Sequence, residues 1–230
     1  MDTFSNMDDS DVVAKANAGD PLAQTRLGVL YARGQGFTKN YNEAKRLWKL
    51  AAAQGHADAM CNLGNLHDIV DDYPIDHQEA LKWYQMAAER GHRKAQYNLG
   101  IKYSHAQGVN RDMSIAAKWF RAAADQGDPK AQFNFAIQCV NGDGIPRDKV
   151  LAAKYFSMGA KSGDPNCLNS LAILHANGDG VQKDEILAYA LWLTAERKGS
   201  DQARPNREML QKYLNSQQIK QAEALSIQFK

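Results

Sequence analysis

Residues 91–126 read GHRKAQYNLGIKYSHAQGVNRDMSIAAKWFRAAADQ, and they contain the pattern from which the fold can be predicted. Its opening glycine belongs to a series that recurs every 36 residues without insertion or deletion: Gly19, Gly55, Gly91, Gly127, Gly163 and Gly199. Self-similarity at a fixed period of a few tens of residues is typical of repeat proteins. The chain therefore divides into five tandem repeats, residues 19–54, 55–90, 91–126, 127–162 and 163–198.

Further columns appear when the five repeats are aligned. Twenty-five residues past the glycine stands an alanine column: Ala44, Ala80, Ala116, Ala152 and Ala188. Twenty-nine residues past it stands an aromatic column: Trp48, Tyr84, Phe120, Phe156 and Trp192. Within each repeat the small and apolar residues recur at spacings of three and four, which is the pattern of one helical face. Each repeat is therefore predicted to be a pair of amphipathic helices.

Helix boundaries are marked by capping and turn residues. Three repeats open with Asp-Pro, as in Asp20-Pro21, which suits an N-cap followed by the first helical position. The second helix follows an N-cap column: Asn40, Asp76, Asp112, Asp148 and Asp184. Gly-x-Gly turns such as 142–144 separate the two helices, and the repeat glycine ends the second. One such pair cannot bury its apolar face alone, so stacking must supply the core.

Composition restricts the classes of function. The chain has 230 residues, 28 basic and 26 acidic, and a net charge of +2, which is too balanced for a nucleic-acid binder. No apolar run is long enough to span a bilayer, and the acidic N-terminus does not resemble a secretory signal. Three cysteines without a CxxC pair indicate free thiols in a reducing compartment. We expect a cytoplasmic protein, or a periplasmic one if the sequence is a trimmed mature form.

Enzyme and cofactor motifs were sought without success. The sequence has no G-x-S-x-G elbow, P-loop, dinucleotide fingerprint or H-E-x-x-H helix. The six histidines lie at helix starts, packing columns or loops rather than at ligand spacing. We therefore expect no catalytic residue, no metal site and no cofactor.

The repeat pattern is A-x-A-Q-x-x-L-G-x-x-Y, then a Gly-x-Gly turn, then D-x-x-x-A-x-x-W-x-x-x-A-A. This pattern resembles the Sel-one-like repeat family, a relative of the tetratricopeptide repeats that has many bacterial members. The resemblance covers residues 19–198. It implies an all-α, right-handed α-solenoid of five 36-residue helix-turn-helix repeats with capping helices at both ends. We expect a capping helix at 9–18, a helical cap at 199–230, and a disordered segment at 1–8.

The resemblance also implies a binding face. In tetratricopeptide arrays the first helices line the concave surface, with inward positions three, six, seven and ten past the repeat glycine. The predicted partner-binding residues at these positions are Arg26, Asn62, Asn65, Lys94, Tyr97, Asn98, Ile101, Lys130, Phe133, Asn134, Ile137, Asn169 and Ile173. Asn62, Asn98 and Asn134 form an amide ladder, which either contacts a ligand or ties helices together. Aromatic side chains beside lysines suit a partner segment with apolar side chains and a carboxylate.

These observations favour a non-enzymatic adaptor that binds a protein or peptide on its concave surface, as a monomer or with weak self-association. One alternative is a small cytoplasmic inhibitor, such as an immunity protein that binds a toxin. A second alternative is a β-lactamase-type hydrolase, as described for some cysteine-rich relatives. The absence of any Ser-x-x-Lys motif, and of a cysteine pair within each repeat, disfavours the hydrolase.

Overall fold

A computed structural model describes residues 9–68, 70 and 73–229. The described residues contain helices and no strand, which confirms the all-α prediction. The predicted disordered segment 1–8 lies outside them. The helices are α1 (Asp9–Asn17), α2 (Pro21–Arg33), α3 (Tyr41–Ala53), α4 (Ala57–Asp68), α5 (His77–Glu89), α6 (Arg93–His105), α7 (Met113–Asp125), α8 (Pro129–Asn141), α9 (Lys149–Lys161), α10 (Pro165–Asn177), α11 (Glu185–Arg197), α12 (Ala203–Gln211) and α13 (Ser216–Ser226), followed by a 3₁₀ turn at Ile227–Phe229.

The chain forms two compact units, residues 1–111 and 112–230. In the N-terminal unit, α1 packs on α2, and the helix pairs α2–α3 and α4–α5 pack in succession up to α6. In the C-terminal unit the order is α7, α8–α9 and α10–α11, after which α12 and α13 both pack on α11. Each element thus contacts mainly its neighbours in sequence, as the stacking of repeats requires.

Helix ends follow the capping residues found in the sequence. All five members of the second-helix N-cap column accept a hydrogen bond from a backbone N–H in the first turn. Asp20, Asp128 and Asp164 do the same for α2, α8 and α10, each with proline at the first helical position. The repeat glycines all have φ between 78° and 94°. Only glycine adopts this left-handed conformation at little cost, which explains the unbroken column.

The core is built from the alanine and aromatic columns. All five alanines are 0% exposed, and the five aromatic residues are between 0% and 5% exposed. Alanine allows close approach of neighbouring helices, and the aromatic rings fill the space that remains. A third element is a buried glutamine near the start of three first helices. Gln24, Gln96 and Gln132 each donate from Nε2 to a carbonyl of the preceding helix at 3.1–3.2 Å.

The second glycine of three Gly-x-Gly or equivalent turns touches backbone of the preceding repeat. A Cβ atom at Gly108 would overlap the His77 carbonyl within the N-terminal unit. In the C-terminal unit, Gly144 meets the backbone of Met113, and Gly180 meets that of Lys149. The turn of one repeat therefore rests directly on the first turn of an earlier second helix, and a side chain would not fit between them.

Candidate partner-binding site

The predicted residues lie on the first helices α2, α4, α6, α8 and α10. Twelve of the thirteen are partly or fully exposed. Asn169 differs, because it is only 6% exposed and its Oδ1 is buried without a hydrogen-bond partner among the described residues. Its side chain is therefore not offered to solvent in the way that the others are.

Four of these residues meet at one cavity in the N-terminal unit. The cavity has a volume of about 620 Å³ and is bounded by α2, α4, α6 and the turn after α2. Its predicted members are Arg26, Asn62, Asn65 and Lys94, and its other walls are Thr25, Val29, Leu30, Arg33, Gln35, Asp58, Cys61 and His92. Three successive first helices thus contribute to a single recess, as the repeat spacing predicts.

Positive charge predominates around this cavity. Arg26, Arg33 and Lys94 are cationic, whereas Asp58 is the one carboxylate in its wall. Asp58 is occupied by His92, whose Nε2 lies 2.9 Å from its Oδ1, and this hydrogen bond lowers the pKa of Asp58. Within the described part of the chain, Arg33 and Lys94 enter no ion pair. The cavity therefore offers cations that the protein itself does not neutralise.

His92 has two roles at the edge of the cavity. Its Nδ1 accepts the N–H of Ala95 at 3.1 Å and so caps α6. Burial favours the neutral ring, but the contacts with Asp58 and Cys61 outweigh it and raise the pKa of His92 to about 9. The neutral ring with its proton on Nε2 satisfies both the cap and Asp58, whereas protonation of Nδ1 removes the cap. Capping of α6 requires an unprotonated Nδ1, whereas the charged ring carries a proton on the same atom.

The asparagine ladder does not behave as one unit. Asn62 forms no hydrogen bond through its side chain within the described residues. Asn98 instead donates to Oδ1 of Asn65 at 3.4 Å and so links α6 to α4. Asn134 donates to the carbonyl of Lys130 in its own helix at 3.0 Å. Asn62 is therefore the member of the ladder whose amide is available to a partner.

A buried polar cluster lies behind the cavity, and the sequence analysis missed it. Lys102 is 1% exposed and is bonded to the carboxylate of Asp68, with Nδ1 of His77 at 3.3 Å and Oε1 of Gln107 at 3.2 Å. Tyr84 donates to Oδ1 of Asn65 at 2.8 Å, and burial raises the pKa of Tyr84. The position of Lys102 holds leucine in repeats one, two and five, so a lysine in an apolar column was the available signal.

The C-terminal unit presents a more apolar first-helix face. The ring of Phe133 lies 6.0 Å from that of Phe156, and Ile137 is half-buried one turn further along α8. Ile173 lines a second cavity, of about 430 Å³, together with Trp192, Met209 and Tyr213. Met209 and Tyr213 are 63% and 78% exposed. This unit therefore carries apolar anchors where the N-terminal unit carries charge.

Sites for catalysis or metal binding were sought among the described residues. They contain no group of three or more His, Cys, Asp or Glu side chains suited to holding a metal ion. All three cysteines are free and buried. Burial raises the pKa of the Cys139 thiol to about 11 and that of Cys167 further still. No helix in these parts of the chain has both the length and the apolar character of a membrane span.

Comparison with known proteins agrees with this architecture. The model of the Sel1 repeat matches five times, at residues 21–56, 57–92, 93–128, 129–164 and 165–200. The chain belongs to the Sel1 repeat family. The Sel1 matches begin two residues later than the repeats counted from each glycine. A search of curated protein sequences returned no match.

Solved structures share the fold. A protective antigen of uropathogenic Escherichia coli strains, which displays an SLR fold, aligns over 96% of this chain with a TM-score of 0.85 at 30% identity. The chain spans only 48% of that antigen's length. A Sel1 repeat protein from Oxalobacter formigenes aligns over 81% of this chain and 76% of its own, with a TM-score of 0.75 at 32% identity. A Sel1 repeat protein from Klebsiella pneumoniae, 21% identical with a TM-score of 0.54, shares the fold alone.

Proposed function

We propose that this protein is a non-enzymatic adaptor that binds a segment of another protein on the face formed by its first helices. The supporting observation is the convergence of Arg26, Asn62, Asn65 and Lys94 on one cavity of the N-terminal unit. These residues come from three different repeats, and none of them belongs to the alanine or aromatic column, although Asn65 also accepts a hydrogen bond from Tyr84 of the aromatic column. Side chains with no packing role on a concave repeat surface are the usual means of recognition in such arrays.

The chemistry of the face suits a polypeptide better than a compact apolar ligand. Asn62 can both donate and accept a hydrogen bond, which is what the backbone of an extended segment requires. Small-molecule pockets are mainly apolar and enclosed. The cavity wall instead mixes amides and cations with a few aliphatic side chains such as Val29 and Leu30. In the C-terminal unit, Phe133 and Ile137 could hold apolar side chains of the same class of partner.

The assignment as a non-enzyme rests on two further observations. Sel1 repeats generally mediate protein–protein interactions. In addition, the raised pKa values of Cys139 and Cys167 disfavour the thiolate that nucleophilic catalysis needs. We place the protein in the cytoplasm on the strength of its free thiols.

The test is a substitution that fills the cavity without touching the core. Asn62→Trp places a large, uncharged side chain on the cavity wall, whereas Gln78→Trp adds the same side chain on the exposed surface of the second helix α5. A partner is first captured from native lysate with the wild-type protein and identified by mass spectrometry. Its affinity for each purified variant is then measured by calorimetry.

We expect Asn62→Trp to weaken binding at least about tenfold, since blocking a central contact of an interface typically costs more than about 1 kcal/mol. Gln78→Trp should bind like the wild type, and both variants should retain the wild-type far-UV circular dichroism and melting temperature. Equal affinity of both variants would show that the partner does not use the cavity.

A further inference from the structure

We propose that the N-terminal cavity receives an acidic, extended segment of the partner, whose Asp or Glu side-chain carboxylates bind Arg33 and Lys94. This inference rests on the proposed function and names the chemistry of the partner. Arg33 was not among the residues predicted from the sequence. The structure adds it because the last residue of α2 lies in the same cavity wall as Lys94 of α6.

The charge balance of the cavity is the first argument. Arg26, Arg33 and Lys94 face a single carboxylate, Asp58, which already accepts a hydrogen bond from His92. The whole chain has a net charge of only +2, so the local excess of positive charge is not a general property of its surface. A concave site with one sign of charge attracts ligands of the opposite sign.

The second argument is that Arg33 and Lys94 are not neutralised by an ion pair within the described residues. Several other cations in the described residues are used internally: Lys149 pairs with Asp179 at 2.7 Å, and Arg207 pairs with Glu196 at 2.9 Å. Arg33 and Lys94 take part in no ion pair within the described residues. Both are exposed, so they can be reached without displacing an existing partner.

The amides of the wall provide the third argument. The side chains of Asn62 and Gln35 make no hydrogen bond to another described residue, and both line the cavity. Amide groups of this kind can pair with the N–H and C=O groups of an extended chain. Successive side chains of an extended chain point to opposite sides, so acidic residues at alternate positions would all face the cations.

The probe is a heptapeptide of alternating glutamate and leucine residues, blocked at both termini. Binding is followed by the shifts of backbone amide signals of the ¹⁵N-labelled full chain in two-dimensional NMR spectra at low ionic strength. One control peptide has glutamine in place of each glutamate. A second control is the glutamine peptide with a free C-terminal carboxylate, which tests a chain terminus as the source of the charge.

The variants are Arg33→Gln and Lys94→Glu, with Lys49→Glu as the matched control. Lys94 lies in the first turn of α6, where glutamate is favoured by the helix dipole, so this variant should fold. Lys49 is an exposed lysine of α3, outside the cavity, and its reversal changes the net charge equally. We expect Arg33→Gln and Lys94→Glu each to weaken binding of the glutamate peptide about threefold, and the double variant about tenfold. Lys49→Glu should bind like the wild type.

Shifts confined to residues around the cavity, seen with the glutamate peptide alone, support the proposal. Equal binding of the blocked glutamine peptide, binding of the free-terminus peptide only, equal weakening by Lys49→Glu, or no localised shift with any peptide would each overturn it. The adaptor function is judged separately with the captured partner. If Asn62→Trp abolishes that binding while Arg33→Gln/Lys94→Glu leaves it intact, the docking face stands and the acidic segment does not.

Discussion

The two units of the chain use the same repeat to build different interiors and surfaces. Eleven residues past the repeat glycine, the third repeat carries Lys102, buried against Asp68 in the N-terminal unit, whereas the fifth repeat carries the buried Leu174 in the C-terminal unit. The N-terminal unit has a cavity rich in cations and amides, and the C-terminal unit has one lined by Ile173, Trp192, Met209 and Tyr213. The shared columns therefore determine the backbone, and single exceptions to a column determine the chemistry.

Trp48 and Trp192 occupy the same column of the repeat but differ in the hydrogen bonding of the indole N–H. Trp48 donates from Nε1 to the carbonyl of Thr25 at 3.0 Å and packs directly on Gly28, where a Cβ atom would overlap the indole. The residue equivalent to Gly28 in the fifth repeat is Ala172. Nε1 of Trp192 is buried without a hydrogen-bond partner among the described residues. We expect the added methyl group of Ala172 to be what separates this unbonded indole from the bonded one of Trp48.

The largest expected effect concerns the buried ion pair of the N-terminal unit. Lys102→Ala removes the lysine that is bonded to the carboxylate of Asp68, whose side chain is only 11% exposed, and leaves that carboxylate with His77 and Tyr84 as its contacts. We expect the free energy of unfolding to fall by about 3 kcal/mol, the lower end of the range for a broken buried ion pair. Urea unfolding followed by circular dichroism measures it.

The matched control replaces the pair with the apolar residues that stand at the equivalent positions of repeats four and five. Lys102→Leu/Asp68→Val reproduces Leu174 and Val140. Replacing a buried pair by apolar residues is often neutral or stabilising. The double variant should therefore recover most of the loss. A double variant as unstable as Lys102→Ala would mean that His77 and Tyr84 depend on the pair.

An intermediate effect is expected at the tryptophan column. Gly28→Ala should lower the free energy of unfolding by about 1–3 kcal/mol, because the added methyl group displaces the Trp48 indole and breaks its bond to Thr25. The converse variant, Ala172→Gly, should cost only about 0.5–1 kcal/mol, the usual penalty for glycine within a helix. Equal losses of unfolding free energy in the two variants would contradict the idea that the residue at this position determines the hydrogen bonding of the indole. Thermal and urea unfolding provide the comparison.

The smallest expected effect is the pH dependence contributed by His92. Its pKa is raised from 6.5 to about 9 in the folded protein, so its contribution to stability is complete below pH 6.5 and is lost as the pH rises toward 9. Asp58 is largely exposed, so the loss should stay below about 1 kcal/mol. Asn is a strong N-cap, so His92→Asn should keep the cap of α6 and remove this pH dependence.

The measurement is the free energy of unfolding of both proteins between pH 6 and 10, with NMR titration of the His92 ring signals. If the wild-type curve runs parallel to that of His92→Asn, the ring stays neutral across the range. The hydrogen bond from Ala95 to Nδ1 would then determine the state of the ring, rather than the carboxylate of Asp58.

Much of the fold could be predicted because it depends on local patterns. The second-helix N-cap column, the repeat glycines and the alanine and aromatic columns each have one physical role that recurs in five copies. Agreement between copies separates such a role from chance. The binding face was predicted differently, from the inward positions that the resemblance to tetratricopeptide arrays implies, and remains a prediction.

What could not be predicted depends on residues that occur in one repeat only. Lys102 and Asp68 lie 34 positions apart, and nothing in either column indicates that one compensates the other. Asn98 forms a hydrogen bond with Asn65 of the preceding repeat, whereas Asn62 has no such acceptor. The reason is that the position of Asn65 is occupied by an aliphatic residue in each of the other repeats. Arg33 was missed because it lies at the end of α2, outside the four inward positions.

The contact between the second turn glycine and an earlier backbone acts as a spacer of fixed thickness. Gly144 on Met113 and Gly180 on Lys149 set the distance between neighbouring hairpins of the C-terminal unit, because a Cβ atom at either glycine would overlap the facing backbone. In a stack in which each hairpin contacts only its neighbours, a displacement at one of these glycine contacts is passed on to the following hairpins. Lengthening of the protein is therefore easiest in whole steps of 36 residues, whereas a methyl group at either glycine would shift every hairpin beyond it.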